Sequence, residues 1–393
     1  MTSRRQRTGT QQPPHPRRRA AKLSTENTTA PALPQQLLLY DSPHAHATQS
    51  PDPATSLTVT VNGQQFTTSP VFDTYWRFAA ARHDIYQARI AGQDPPWTSD
   101  PILQAHRFTN CFRAADRVSQ YLIRHVIYTG PQGPDEIVFR TLLFKVFNKI
   151  DTWKLLTTQL GFPDLRHFDV HRYSEVLDDA FARGTRLYAA AYVMPSPPLG
   201  ADRKHRNHLQ LIAHMMDDNI TGQLTNATTM AEAFRALRRH PGIGDFLAYQ
   251  YLIDINYSTA IDFDEMDYVI AGPGARDGIR KCFGPASAGH EQQLIEYMTA
   301  SQDEHFARLN LTFPGLFGRP LQLIDCQNLF CEVDKYARVR HPSIAGHSGR
   351  TRIEQKYRPQ LSPTPAWFPP KWGLDTPDVA ESAAIPEPTL FDD

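Results

Sequence analysis

Leu237-Arg238-Arg239-His240-Pro241-Gly242-Ile243-Gly244-Asp245-Phe246-Leu247-Ala248 is the stretch on which the reading of this chain turns. A helix that ends in basic residues runs into Pro-Gly-Ile-Gly, and a new apolar helix starts at once. Two glycines let the backbone turn tightly and approach a partner closely, while Ile243 plugs the turn into the core. The free amides at the N-terminus of the second helix then face outward, which is a physical reason for phosphate to bind there. The pattern is a helix-hairpin-helix, with Pro241, Gly242, Ile243 and Gly244 as its expected phosphate grip.

Outward from the hairpin the chain stays helical. Apolar spacing of three and four residues is carried by Phe72, Tyr75, Trp76, Ala79 and His83 in a helix that Gly92 ends. Asp100 followed by Pro101 reads as cap and first turn of a helix running toward Tyr128. Further helices are expected over 136–160, 173–194, 204–220, 230–240, 245–257, 291–310 and 322–339. Strand-like alternation is confined to 58–68, centred on Asn62-Gly63, a dipeptide suited to a tight hairpin turn. The expected fold class is therefore mainly α with a small N-terminal β-hairpin. Residues 1–56 read as a disordered, basic, Pro/Gln-rich arm, 57–360 as the helical domain, and 361–393 as a Pro-rich acidic tail. Within the arm, Gln36-Leu37-Leu38-Leu39-Tyr40 looks like a short sliding-clamp docking peptide.

Lys plus Arg equals Asp plus Glu at 41 each, so a DNA-binding surface must come from local segregation of charge. Such an excess lies near the end of the helical region. There Lys335, Arg338, Arg340, Arg350, Arg352, Lys356 and Arg358 face only Glu332, Asp334 and Glu354. Cys111, Cys282, Cys326 and Cys331 lack the spacing of a disulfide framework or a zinc site and read as structural thiols in a reducing compartment. His205, His208 and His214 lack the Glu of a His-Glu-x-x-His motif and read as surface histidines, so no metal and no cofactor is expected. The longest apolar stretch, 187–194, is far short of a membrane span. A cytoplasmic protein is expected, nucleoid-associated in a bacterium or nuclear in a eukaryote.

Proteins with this hairpin that resemble base-excision DNA glycosylases carry a catalytic Asp about twenty residues further on. Asp264 lies 264 minus 244, or 20, residues past Gly244, with Asp262, Glu265 and Asp267 around it. An ionised carboxylate there would stabilise the cationic sugar of an extruded nucleotide, and Asp264 and Asp267 are the expected catalytic pair. Relatives that also nick the backbone have Lys two positions past the last hairpin Gly. Phe246 stands there, so a glycosylase of this type would be monofunctional. A second glycine-rich stretch, 271–281, reads as a turn that wraps another phosphate with Gly272, Gly274, Arg276, Arg280 and Lys281. It is not a P-loop, because no Gly-Lys-Ser/Thr stands at the required spacing.

From about residue 71 to 358 the chain resembles the helical domain of phage and bacterial 5-hydroxymethyluracil DNA kinases, grouped with the alpha-glutamyl/putrescinyl thymine pyrophosphorylases. The resemblance rests on ordered blocks that include Arg107-Phe108-Thr109-Asn110, Asp116 to Tyr121, Phe144 to Ile150, Pro241 to Gly244, Gly272 to Ala275, Asp325-Cys326-Gln327-Asn328 and Gly349-Arg350-Thr351-Arg352. It implies a glycosylase-like fold that recognises modified pyrimidines in double-stranded DNA. Within and beside these blocks Asn110, Asn148, Asp325, Gln327 and Asn328 are candidates to read an extruded base, Trp153 or Phe147 to stack on it, and Arg113 or Lys145 to meet an anionic substituent. The leading expectation is excision of a modified pyrimidine, with antiviral defence as its setting. The alternatives are a transferase that replaces a pyrophosphoryl group on 5-hydroxymethyluracil in DNA, and a non-catalytic DNA-binding module.

Overall fold

A computed structural model describes residues 56–190, 194–358 and 366–376. The basic arm, the Gln36–Tyr40 segment and most of the acidic tail lie outside the described residues.

The β-hairpin forms where the alternation places it. Strands β1 (Thr58–Val61) and β2 (Gln64–Thr67) pair antiparallel, Thr58 opposite Thr67 and Val61 opposite Gln64. Asn62 and Gly63 both take positive φ, 49° and 81°, as a two-residue turn between right-twisted strands requires. Val59, Val61 and Phe66 face inward, and Phe66 meets the edge of Phe283. Ser69 then caps α1 (Pro70–Ile90) by accepting from the amide of Val71, and the five spaced apolar positions of that helix are all buried.

Tertiary contacts cut several expected helices short. Asp100 does cap α2 (Pro101–Ala105), accepting from the amides of Ile102 and Leu103 at 2.7 and 3.1 Å. The helix stops there instead of running toward Tyr128, because the amide of Arg107 donates to the Gln355 carbonyl and that of Tyr357 to Ala105. Helix resumes as α3 (Arg117–Leu122) and a wide turn over Ile123–Ile127. The expected 136–160 helix is two, α4 (Pro134–Phe147) and α5 (Ile150–Leu160), parted by Asn148 in a left-handed conformation at φ 49°. Asn tolerates that region where a branched residue would not. Helix α6 (Val170–Ala182) ends before Gly184 and does not reach Met194. Then come α7 (Lys204–Asp217), α8 (Ile220–Thr225), α9 (Met230–Arg238) and α10 (Asp245–Asn256).

The glycine-rich stretch 271–281 is not a turn. Its residues from Pro273 onward form α11 (Pro273–Phe283), which packs across α14 (Leu323–Arg340), with α12 (Glu291–Ala300) and α13 (Gln302–Arg308) between them in the chain. Gly278 is there for proximity: a Cβ at that position would lie 2.0 Å from the Phe330 carbonyl oxygen. Only glycine lets the two helix backbones cross so closely.

Helix α10 is buried on every side from Leu247 through Asn256, mostly by apolar residues but with Gln250, Asp254 and Asn256 among them, and lies against α9 and α4. A helix with no solvent-facing side belongs inside a domain. His205 and His208, expected at the surface, are buried. His205 pairs with Asp178 at 2.7 Å, and His208 sits between the Tyr188 hydroxyl and the Pro195 carbonyl. The cysteines are free thiols, with Cys111, Cys282 and Cys326 buried. No helix among the described residues is long and apolar enough to cross a membrane.

Candidate functional site

The hairpin turn stands at the surface. Helix α9 is capped by Thr229 and ends at Arg238, and the amide of Ile243 then donates to His240 to close the bend. Gly242 is exposed at φ 77°, where a side chain would be strained and would also press on Pro197 at 3.0 Å. Ile243 is buried, so the turn is anchored from below. Gly244 caps α10 without a side-chain bond, which leaves the first amides of that helix to solvent or to a ligand. Arg238, Arg239, Pro241, Gly242, Gly244 and Phe246 help line an open depression of about 680 Å³ here. The two arginines are already engaged, Arg238 with Asp245 at 2.5 Å and Arg239 with Asp218 at 3.0 Å. Any anion held at this bend rests mainly on backbone amides.

The acids after α10 separate by burial. Asp262, Asp264 and Asp267 are exposed, and one oxygen of Asp264 closes its own loop by accepting from the amide of Met266 at 2.9 Å. Glu265, not singled out in the sequence, is the buried one. It accepts from Arg319 Nη2 at 2.9 Å, and burial pushes its carboxyl up to about 7 against the pull of that guanidinium.

Several expected base-reading residues do come together, in the interior. Arg113 donates through Nη1 to Asp254 Oδ1 at 2.6 Å and through Nε to Gln250 at 3.0 Å. Lys145 Nζ lies 2.9 Å from the other oxygen of Asp254 and donates to Asn148 Oδ1 at 3.2 Å. Gln250 reaches on to Gln327 at 3.4 Å, and Asp325 accepts the amide of Arg113 at 2.8 Å. Burial disfavours charge on Asp254, yet Arg113 and Lys145 beside it hold its carboxyl below the usual carboxylate range. Burial pulls the Lys145 ammonium down, partly offset by Asp254, and pushes Asp325 up to about 6. Asp254 thus centres a cluster drawn from several elements, all of it 6% exposed or less. The sequence signal was available: an acid inside the apolar run Tyr249 to Ile255 implies a buried counter-charge.

Other candidates take structural posts. Trp153 is buried edge-on to Phe144 and Phe162, and so is a core ring with no open face for a base. The Asn110 amide donates to the Ala115 carbonyl at 2.7 Å, and Asn328 is half-buried on α14. Gly272 begins α11 against Phe246, and Gly274 packs on Cys331. Lys281, expected to meet a phosphate, is buried in an ion pair with Asp334 at 2.9 Å, because it lies on the face of α11 that crosses α14. Arg338 is tied to the same Asp334, and half-exposed Arg350 to Asp277 at 3.2 Å. Arg276 and Arg352 are exposed and remain open to a backbone phosphate.

Residues 69–346 match the family described as 5-hmdU DNA kinase, helical domain. The chain is also 26% identical over 288 residues to the 5-hmdU DNA kinase of Bacillus phage SP10, an alignment that covers 68% of this chain and 45% of that protein. It therefore spans less than half the length of the curated relative it matches. No solved structure matches it. With the family's pattern matching most of the chain, and the hairpin, the acids after α10 and the buried cluster all inside the matched span, the protein belongs to the family of 5-hmdU DNA kinase helical domains.

Proposed function

We propose that this chain takes part in group transfer at 5-hydroxymethyluracil in double-stranded DNA, gripping a strand at the Pro241–Gly244 bend and presenting one modified pyrimidine for reaction. The observation that carries the reading is the family match over residues 69–346, together with the name of the phage relative, a kinase of 5-hmdU in DNA. A transferase fits that name, and excision does not. Asp264 and Asp267, the carboxylates an excision reading would use, are exposed on their loop, while the buried carboxyl of that stretch belongs to Glu265.

The chain has no Gly-x-x-x-x-Gly-Lys-Ser/Thr loop, so the role assigned to it is recognition of DNA and of the base rather than cradling of a nucleoside triphosphate. Backbone amides at the start of α10 supply sequence-independent phosphate contacts, and exposed Arg276 and Arg352 add charge. The exchange of a pyrophosphoryl group for an amine at the same hydroxymethyl carbon is the transfer most consistent with the grouping of the family.

The test is mass analysis of nucleosides from duplexes carrying 5-hydroxymethyluracil, or its pyrophosphorylated form, after incubation with the protein and either a nucleoside triphosphate with magnesium or a polyamine. A thymidine derivative of changed mass, with no alkali-labile sites, is expected. Free base and abasic sites would restore excision. Unchanged DNA, bound with a steep salt dependence, would leave a non-catalytic module.

A further inference from the structure

The far end of α10 carries a feature that the hairpin does not explain. Residues 366–376 cross the molecule there, with one short turn at Pro370–Trp372 as their regular structure. The amide of Trp367 donates to Gln120 Oε1 at 2.7 Å, and Lys371 donates to the Ile261 carbonyl at 3.0 Å and pairs with Asp262 at 2.9 Å. Aromatic contact does much of the rest. Phe368 is buried against Phe317 and stacks with Trp372, their planes 18° apart.

Trp372 fills a particular slot. The Arg319 guanidinium lies over its ring, 4.1 Å from the centroid, and Tyr257, which caps the C-terminus of α10, meets it at 5.5 Å and 87°. Behind Arg319 stands the buried carboxyl of Glu265, and the Tyr257 hydroxyl accepts from Arg113 at 3.3 Å. The fully buried Tyr249 hydroxyl has no hydrogen-bond partner among the described residues. Glu265 is close enough to it to add to the upward push that burial exerts on this phenol.

A flat cation, an aromatic ring met edgewise and a buried carboxyl are chemistry that can receive an unstacked nucleobase: the guanidinium covers one face, as it does that of the indole, the Tyr257 ring meets the base at a right angle, and the carboxyl reads its edge. An indole is a flat ring system of comparable size. We propose that the slot between Arg319 and Tyr257, backed by Glu265, receives a pyrimidine extruded from DNA, and that Trp372 occupies it as an internal plug the base must displace. This rests on the DNA reading above and assigns the base a place that reading left open. Helix α10 sets the geometry, since its 12 residues put about 18 Å between the phosphate grip and the slot, roughly five nucleotides of strand.

An occupied slot lowers apparent affinity by the fraction of molecules in which it is free, so removing the plug should strengthen binding of a base that flips easily. Trp372→Ala is expected to bind a duplex with one 5-hydroxymethyluracil mispaired with guanine about tenfold more tightly by fluorescence anisotropy, with binding of the fully paired unmodified duplex unchanged. Adding Arg319→Met should erase the gain. If Trp372→Ala does not fold, as circular dichroism will show, Trp372→Phe should give a smaller gain in the same direction. Equal or weaker binding of both duplexes by these variants would make the segment a purely structural strap and overturn the proposal while leaving the DNA reading intact. Failure of the wild type and every variant to bind either duplex would sink both.

Discussion

The two ends of α10 solve opposite problems. At its start, the hairpin offers an anion exposed amides, an exposed Gly242 and arginines already balanced by Asp245 and Asp218, so little charge is taken out of water. Toward its end, Asp254 binds Arg113 and Lys145 where no water reaches, and each charge is tolerable only because the others are present. The first arrangement is cheap, open and suited to a ligand that comes and goes. The second is costly, closed and rigid, and its removal should be felt by the fold before it is felt by any substrate.

That contrast breaks most easily at Asp254. Asp254→Ala strands two buried cations and should cost about 3–5 kcal/mol in urea unfolding, whereas a loss below about 1 kcal/mol would mean the cluster is more hydrated than its burial implies. Glu265 sharpens the contrast through pH. The folded state keeps its proton up to about pH 7, where the unfolded chain has released it, so the contribution of Glu265 to stability is full below about pH 4.5 and falls as pH rises to about 7. Glu265→Gln should therefore gain on the wild type by up to about 3 kcal/mol across that window. Matching thermal-melt curves from pH 4.5 to 8 would show instead that the carboxyl titrates normally.

Smaller effects are expected at the open end. Gly242→Ala meets both a positive φ and Pro197, and should cost about 1 kcal/mol of stability and weaken DNA binding without altering its salt dependence, because no charge is removed. A changed salt slope would show that the arginines, not the amides, hold the strand. Asp264→Asn should shift stability by less than about 0.5 kcal/mol and leave base transfer intact. Loss of activity with unchanged stability would return Asp264 to the chemistry and revive excision.

Local signals in the chain were enough for the helical class, the β-hairpin with its Asn62-Gly63 turn, the Asp100 cap and the Pro241–Gly244 bend, because each depends on residues within a few positions of one another. Periodicity also identified the inward face of α1. Helix ends were less legible: only the partners of Arg107 and Tyr357, distant in sequence, stop α2. The stretch 271–281 misled because glycine reads as flexibility in one dimension, while in three it marks the place where α11 presses on the Phe330 backbone. Charge was the least legible property of all. Whether Lys281 meets a phosphate or Asp334, and which acid of the stretch 262–267 is buried, depends on packing and on partners that folding brings from far along the chain. Composition names such groups, but only packing sets the dielectric around them and decides which stay charged, which stay neutral and which face a ligand.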